Sequence, residues 1–271
     1  VNLAYEAATA DLNDINMIDP FHLEAYGETT VNYNRDVEIF PVLNTIFEKI
    51  YGESPYKSPT DMGVNMAGNC ICDDEACREA SKQEIIRRYF DALNALAKGS
   101  TSEKEAQKIE LLMNMAGITV TDRKVVIKAL ERAKETDGPA AALELRDGRI
   151  ITGKTTNLLG ASAALLLNVL KVLAGIDHET HIISPESIEP IQKLKVDYLK
   201  SKNPRLHTDE VLIALSASAA TNPQARLALS QLPELAGCQA HTSVMLSDVD
   251  IKIFKKLEVQ LTSEAVYEHA L

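Results

Sequence analysis

Residues 148–155 read Gly-Arg-Ile-Ile-Thr-Gly-Lys-Thr, which fits the written phosphate-loop pattern GxxxxGK followed by Ser or Thr. A phosphate loop curls backbone N–H groups around an anion and brings a lysine to it. Ile150, Ile151 and Thr152 instead favour an extended strand. Asp147-Gly148 ahead of them is a hairpin turn signal. The stretch therefore reads as a β-hairpin, with Lys154 and Thr155 placed to meet a ligand at the N-terminus of the next helix.

Metal chemistry finds little support. Cys70, Cys72 and Cys77 cluster around three acids, but the second pair of a structural zinc site is missing. No zinc is expected, and the thiols read as free cysteines in a helical core. His22-x-Glu24 has no Pro-Cys-x-x-Cys to complete a deaminase signature. His178-Glu179-x-His181 is one residue short of the metalloprotease pattern, so its imidazoles miss that motif's one-turn geometry.

Polar loops are the better candidates. Residues 58–69 hold Thr60, Asp61, Asn65 and Asn69 among glycines that permit close backbone approach. Asn32, Asn34, Arg35 and Asp36 form a second polar knot. A further group sits where strands are expected to end: Ser184; then Ser216, Ser218, Thr221 and Asn222; then His241. Ligands of open α/β sheets lie outside such strand exits. The competing reading of Asn222 before Pro223 is an ordinary helix cap.

The elements that must position these residues fall into two parts. Up to residue 136 the pattern is helical. Apolar residues from Val37 to Ile50 recur at helical spacing. Residues 74–98 form a long helix closed by Gly99, Ser102 with Glu105 suggests a capping box for a helix ending at Gly117, and a third helix follows from Thr121 or Asp122. Short loops between the three imply an antiparallel bundle. From residue 137 strands and helices alternate, giving an α/β layered domain over 137–271. Expected strands are Ala141 to Leu145, Arg149 to Gly153, His181 to Ser184, Val211 to Leu215, His241 to Leu246 and Val259 to Leu261. Helices are expected from about Asn157 to Ala174, from Pro185 to about Lys200, from Pro223, and from Asp248 to Lys256.

With 45% hydrophobic and 25% charged residues, disordered and fibrous classes are excluded. A net charge of −11 argues against nucleic-acid and anionic-membrane partners. Ten acids against three bases in residues 1–60 concentrate that charge at the front. The most apolar run, Ala161 to Gly175, is broken by Asn168 and Lys171 and is too short to span a bilayer. Four cysteines suggest no disulfide scaffold, so a reducing cytoplasm is the expected setting. The chain opens on Val1 without a signal-peptide pattern and reads as an interior start.

Residues 60–68 and 80–88, together with 2–12, 151–162, 207–213 and 237–243, resemble the bacterial family known as domain of unknown function 1846. The resemblance runs along essentially the whole chain and implies the C-terminal portion of a longer protein. It implies a front part carrying a Gly-Ser-Gly-Lys phosphate loop, adjoining residues 1–57, and then a helical insert. A three-layer α/β/α domain of cytidine-deaminase-like topology follows, with Gly160-Ala-Ser-Ala163 where the zinc ligands would stand. An enzyme that binds a nucleotide or phosphorylated small molecule, with magnesium, is the leading expectation. Arg35 would clamp the anion, Asp61 would hold a metal-bound phosphate or act as a base, and Asn32, Asn34, Thr60, Asn65 and Asn69 would orient the ligand. The alternative places a small molecule in the α/β domain itself, at Lys154, Thr155, Ser216, Ser218, Thr221, Asn222 and His241. A third reading is a homo-oligomeric assembly module packed through the alanine-rich helix from Ala161.

Overall fold

The computed structural model describes residues 17–18, 30–31, 33–54 and 74–268. The contacts divide the chain into two compact units, residues 1–123 and 124–271. The division falls one helix ahead of the change of pattern at Asp137.

In the first unit, β1 (Met17–Ile18) and β2 (Thr30–Val31) form a short antiparallel ladder. Three helices follow: α1 (Tyr33–Tyr51), α2 (Asp74–Ala97) and α3 (Glu103–Ala116). α3 packs against both α1 and α2. Ile85, Ile86 and Phe90 bury the inner face of α2. Gly99 and Gly117, both at positive φ, close α2 and α3. Ser102 caps α3 by position only, since its side chain makes no capping bond. Past the end of α3, the Asp122 carboxylate accepts from the Thr119 N–H at 2.7 Å and from its hydroxyl at 3.1 Å and so starts a short 3₁₀ turn.

The third expected bundle helix, α4 (Lys124–Thr136), belongs with the sheet of the second unit. Val125 and Ala129 pack on Ala142 of that sheet, because a small residue lets the helix lie close. The sheet comprises β3 (Ala140–Glu144), β4 (Ile150–Lys154), β5 (Gln239–Thr242) and β6 (Gln260–Ser263), in the order β4-β3-β5-β6. The β3 pairings are antiparallel and β5 runs parallel to β6, so the sheet is mixed. Asp147-Gly148 makes the hairpin turn, with Gly148 at φ 83°. The phosphate-loop pattern is thus strand and turn.

Pleating sends Ala142 toward α4 and Ala141 and Leu143 to the opposite face. There the main core forms against α5 (Ala161–Leu173), α6 (Pro185–Lys193), α7 (Thr208–Ser218), α8 (Pro223–Leu229) and α9 (Asp248–Lys256). Helices therefore cover both faces. α6 runs on into one π turn at Leu194–Tyr198. α5 lies against β4 at Gly153, where an added Cβ would stand 2.3 Å from the Leu165 nitrogen. On its outer side, β4 offers the Thr152 carbonyl to the Asn168 side-chain amide of α5 at 2.9 Å.

Two expected strands are not strands. Val211 to Leu215 is the middle of α7, and His181 to Ser184 is a loop that buries Ile182 and Ile183. Short apolar runs fit either a buried strand or a buried helix, and a Glu210 side chain bonded back to the His207 N–H starts a helix here.

Gly153→Ala should cost about 3 kcal/mol or more in chemical denaturation, because backbone atoms of Leu165 cannot give way. Gly160→Ala, with its nearest neighbour at 3.8 Å, should stay within about 1 kcal/mol of the parent. Equal losses at the two positions would refute the close helix–strand contact.

Candidate functional site

Beside the hairpin lies a half-open cleft of about 620 Å³. Its walls are the end of β4 at Thr152 to Lys154, the turn at Thr156 to Leu159, one side of α5, and the loop from His178 to Ile183, with Arg132 reaching in from α4. The floor is apolar: Leu158, Leu159, Leu167, Ile182, Ile183 and Ile188.

The polar lining carries one sign of charge. Arg132, Lys154 and Lys171 join His178 and His181, and no lining residue is acidic. Lys154 is exposed and makes no ion pair among the described residues. Arg132 donates from Nη1 to Glu135 at 3.1 Å, while its buried Nε has no partner. Lys171 donates to the His178 carbonyl at 2.7 Å and so ties α5 to the loop. Burial pushes the Lys171 ammonium below its usual pKa, opposed by Glu179 and Asp177 near the cleft. Thr155, next to the lining, has a buried hydroxyl without a partner. Thr156 Oγ1 accepts from the Leu158 and Leu159 N–H groups and fixes the turn. Such a lining suits an anionic group on an apolar body.

The other residues singled out from the sequence stand elsewhere. Asn222 caps α8, its Oδ1 accepting from Gln224 N at 2.9 Å and Ala225 N at 3.4 Å. Ser216 and Ser218 lie in the last turn of α7, and Thr221 in the corner after it. Since the preceding segment is helical, this corner is no strand exit. The Arg226 guanidinium sits on the Ala219 and Ala220 carbonyls there. His241 is fully buried on β5, with Nδ1 2.8 Å from Thr262 Oγ1 and Nε2 3.3 Å from a Glu264 carboxylate oxygen. Asn34 and Arg35 fall in the first turn of α1. Asn32, Thr60, Asp61, Asn65 and Asn69 lie outside the described residues. Among the described residues no group of three or more metal-ligating side chains occurs.

Sequence reasoning missed Arg132, Asn168 and Lys171, whose signal is only their positions on helix faces. His178 and His181 were visible as half a metal motif. The structure puts them beside cations rather than metal ligands.

A second polar cluster joins two helix starts. Asp250 Oδ1 accepts from the Thr208 N–H at 2.9 Å and hydroxyl at 2.8 Å, and Oδ2 from Ser247 at 2.7 Å. His207 Nδ1 lies 3.0 Å from Oδ2. Burial alone would raise the Asp250 pKa. The hydrogen bonds from His207, Thr208 and Ser247 outweigh it and hold the carboxyl at about 2. The same bond raises His207, against its own burial. Nearby, Lys195 reaches Glu210 and the Arg205 carbonyl, both at 2.6 Å.

Fold and cleft define a two-unit protein whose mixed α/β sheet carries a ligand-sized cleft. Residues 1–117 match the N-terminal domain of unknown function DUF1846 and residues 121–271 match its C-terminal domain. The chain belongs to the DUF1846 family and carries both parts, not the C-terminal one alone. It is 61% identical to a UPF0371 protein of Corynebacterium urealyticum over 267 residues, covering 98% of this chain and 54% of that protein. It is 56% identical to a UPF0371 protein of Streptococcus thermophilus, covering 99% and 54%. The chain spans about half the length of the curated relatives it matches.

The sign of the Asp250 effect follows from its lowered pKa. Its contribution is present above the unfolded value, 3.8, and is lost as pH falls through about 2. That of raised His207 is present below 6.5 and lost as pH rises through its folded value. Asp250→Asn should therefore cost about 2 kcal/mol near pH 5. The gap should close toward pH 2 and narrow above neutrality. A pH-independent gap in urea denaturation would contradict this. Asn222→Ala should cost about 1 kcal/mol and Asn222→Ser little, as for a helix cap.

Proposed function

We propose that the sheet unit binds a small anionic molecule, bearing a phosphate or carboxylate on an apolar body, in the cleft beside β4. The observation that carries this reading is the lining: three cations and two imidazoles without a lining acid, over an aliphatic floor. The volume falls within the range of small-ligand sites. Arg132 and Lys154 would hold the anion, and Lys171 would set the loop that closes over it. The phosphorylated small molecule or nucleotide implied by the family resemblance is a member of this ligand class. Use of such a ligand as an enzyme substrate by the whole protein, at a separate site to which Arg35 and Asp61 would contribute, is a distinct reading that rests on the family resemblance.

The setting we infer is the cytoplasm. Among the described residues no helix is long and apolar enough to cross a membrane, and Cys238 is a free, buried thiol. Helices on both faces of the sheet and a hairpin leading to α5 support the deaminase-like topology, used here without its zinc.

Thermal-shift and calorimetric titration with phosphorylated and carboxylated small molecules should reveal stabilising ligands, while their neutral counterparts give none. Lys154→Ala should weaken binding about tenfold or more, since a charge-assisted bond is lost without disturbing packing. No stabilising anion at millimolar concentration, or one indifferent to Lys154→Ala, would overturn the reading.

A further inference from the structure

In the first unit, α2 buries three charged side chains on adjoining turns. Glu84 is 2% exposed, and Arg87 and Arg88 are 8% exposed each. Glu84 Oε2 accepts from Arg87 Nε at 3.0 Å and Nη2 at 2.6 Å. Its other oxygen accepts from Arg88 Nε at 3.1 Å. One carboxylate thus serves two guanidiniums. Two guanidiniums against one carboxylate give these three residues a net positive charge, on the helix that also buries Ile85, Ile86 and Phe90. Each guanidinium carries five N–H donors, and both Nη groups of Arg88 and Nη1 of Arg87 remain beyond those that Glu84 takes. None of these outer nitrogens is among the buried atoms left without a partner, so they keep access to the surface. One residue earlier, Gln83 accepts from Arg123 Nη1 at 3.2 Å, which brings a further guanidinium to this turn.

We propose that Arg87 and Arg88 form an anion site in the first unit, which takes a single oxyanion: a phosphate, or a ligand's terminal phosphate or carboxylate. The planar guanidinium fork matches such oxygens two at a time. Glu84 then acts as a positioning residue that holds both arginines by Nε and leaves their outer edges for the ligand. Nothing in this depends on the cleft of the second unit.

The test is a titration of the ¹⁵N-labelled full chain carrying Lys154→Ala, which disables the cleft, with inorganic phosphate and with acetate. The arginine Nε–Hε resonances are followed and assigned with Arg87→Lys and Arg88→Lys. The signals of Arg87 and Arg88 should move saturably, and Arg88→Lys should weaken the affinity about tenfold while the chain stays folded. Saturation by phosphate alone would identify the anion as a phosphate, and saturation by both would admit a carboxylate. Signals that stay fixed, or that follow chloride equally at matched ionic strength, would overturn the proposal. Loss of the cleft's ligand response in unaltered chain, with these arginine shifts intact, would refute the cleft reading alone.

Discussion

The second unit depends on how closely α5 lies against the sheet. Gly153 has no side chain, and Ala161, Ala163 and Ala164 open the facing helix with small residues. The helix backbone therefore comes within contact of β4 itself. That distance aligns Ala141 and Leu143 under Leu165 and its neighbours in one core. It also carries Asn168 and Lys171 to the cleft beside the strand. A larger residue at position 153 would push the helix out and move both together. The packing contact and the chemistry of the cleft are thus set by the same absent methyl group.

Local signals made part of this fold legible. Asp147-Gly148 between apolar runs gives the hairpin, and two β-branched isoleucines explain why a phosphate-loop pattern folds as a strand. The α5 segment is readable from its length and apolar content. Val211 to Leu215 was not, because five apolar residues fit a strand as well as a buried helix. What decides it is the start of the helix, where Glu210 bonds back to the His207 N–H and Asp250, more than forty residues away, holds Thr208 and His207. The loop at Ile182 and Ile183 has the same difficulty, since burial there comes from the cleft floor and not from a ladder.

The site was less legible than the fold. Lys154 was found because it ends a recognisable pattern. Arg132, Lys171 and the two histidines come from three separate segments, and only their convergence makes a cationic lining. Asn222 illustrates the reverse case. Its polarity suggested a ligand, and its oxygen is taken by two N–H groups of the helix that it starts. His241 stands in the sequence among the ligand-binding candidates, and the sheet buries it between Thr262 and Glu264. The acidic net charge of the chain gives no hint of either cationic cluster, because surface acids dominate the count.

The Asn168–Thr152 bond has a consequence for the behaviour of the protein in a crowded solution. β4 is the outer strand on its side of the sheet, and its free carbonyls invite a strand from another molecule. The Asn168 amide covers one of them, and Lys154 places a charge at the end of the same edge. Sequence drift at position 168 toward alanine or leucine would leave the core filled while removing that cover. The molecule would then fold as before and acquire a tendency to pair edge to edge, a change in association without a change in stability.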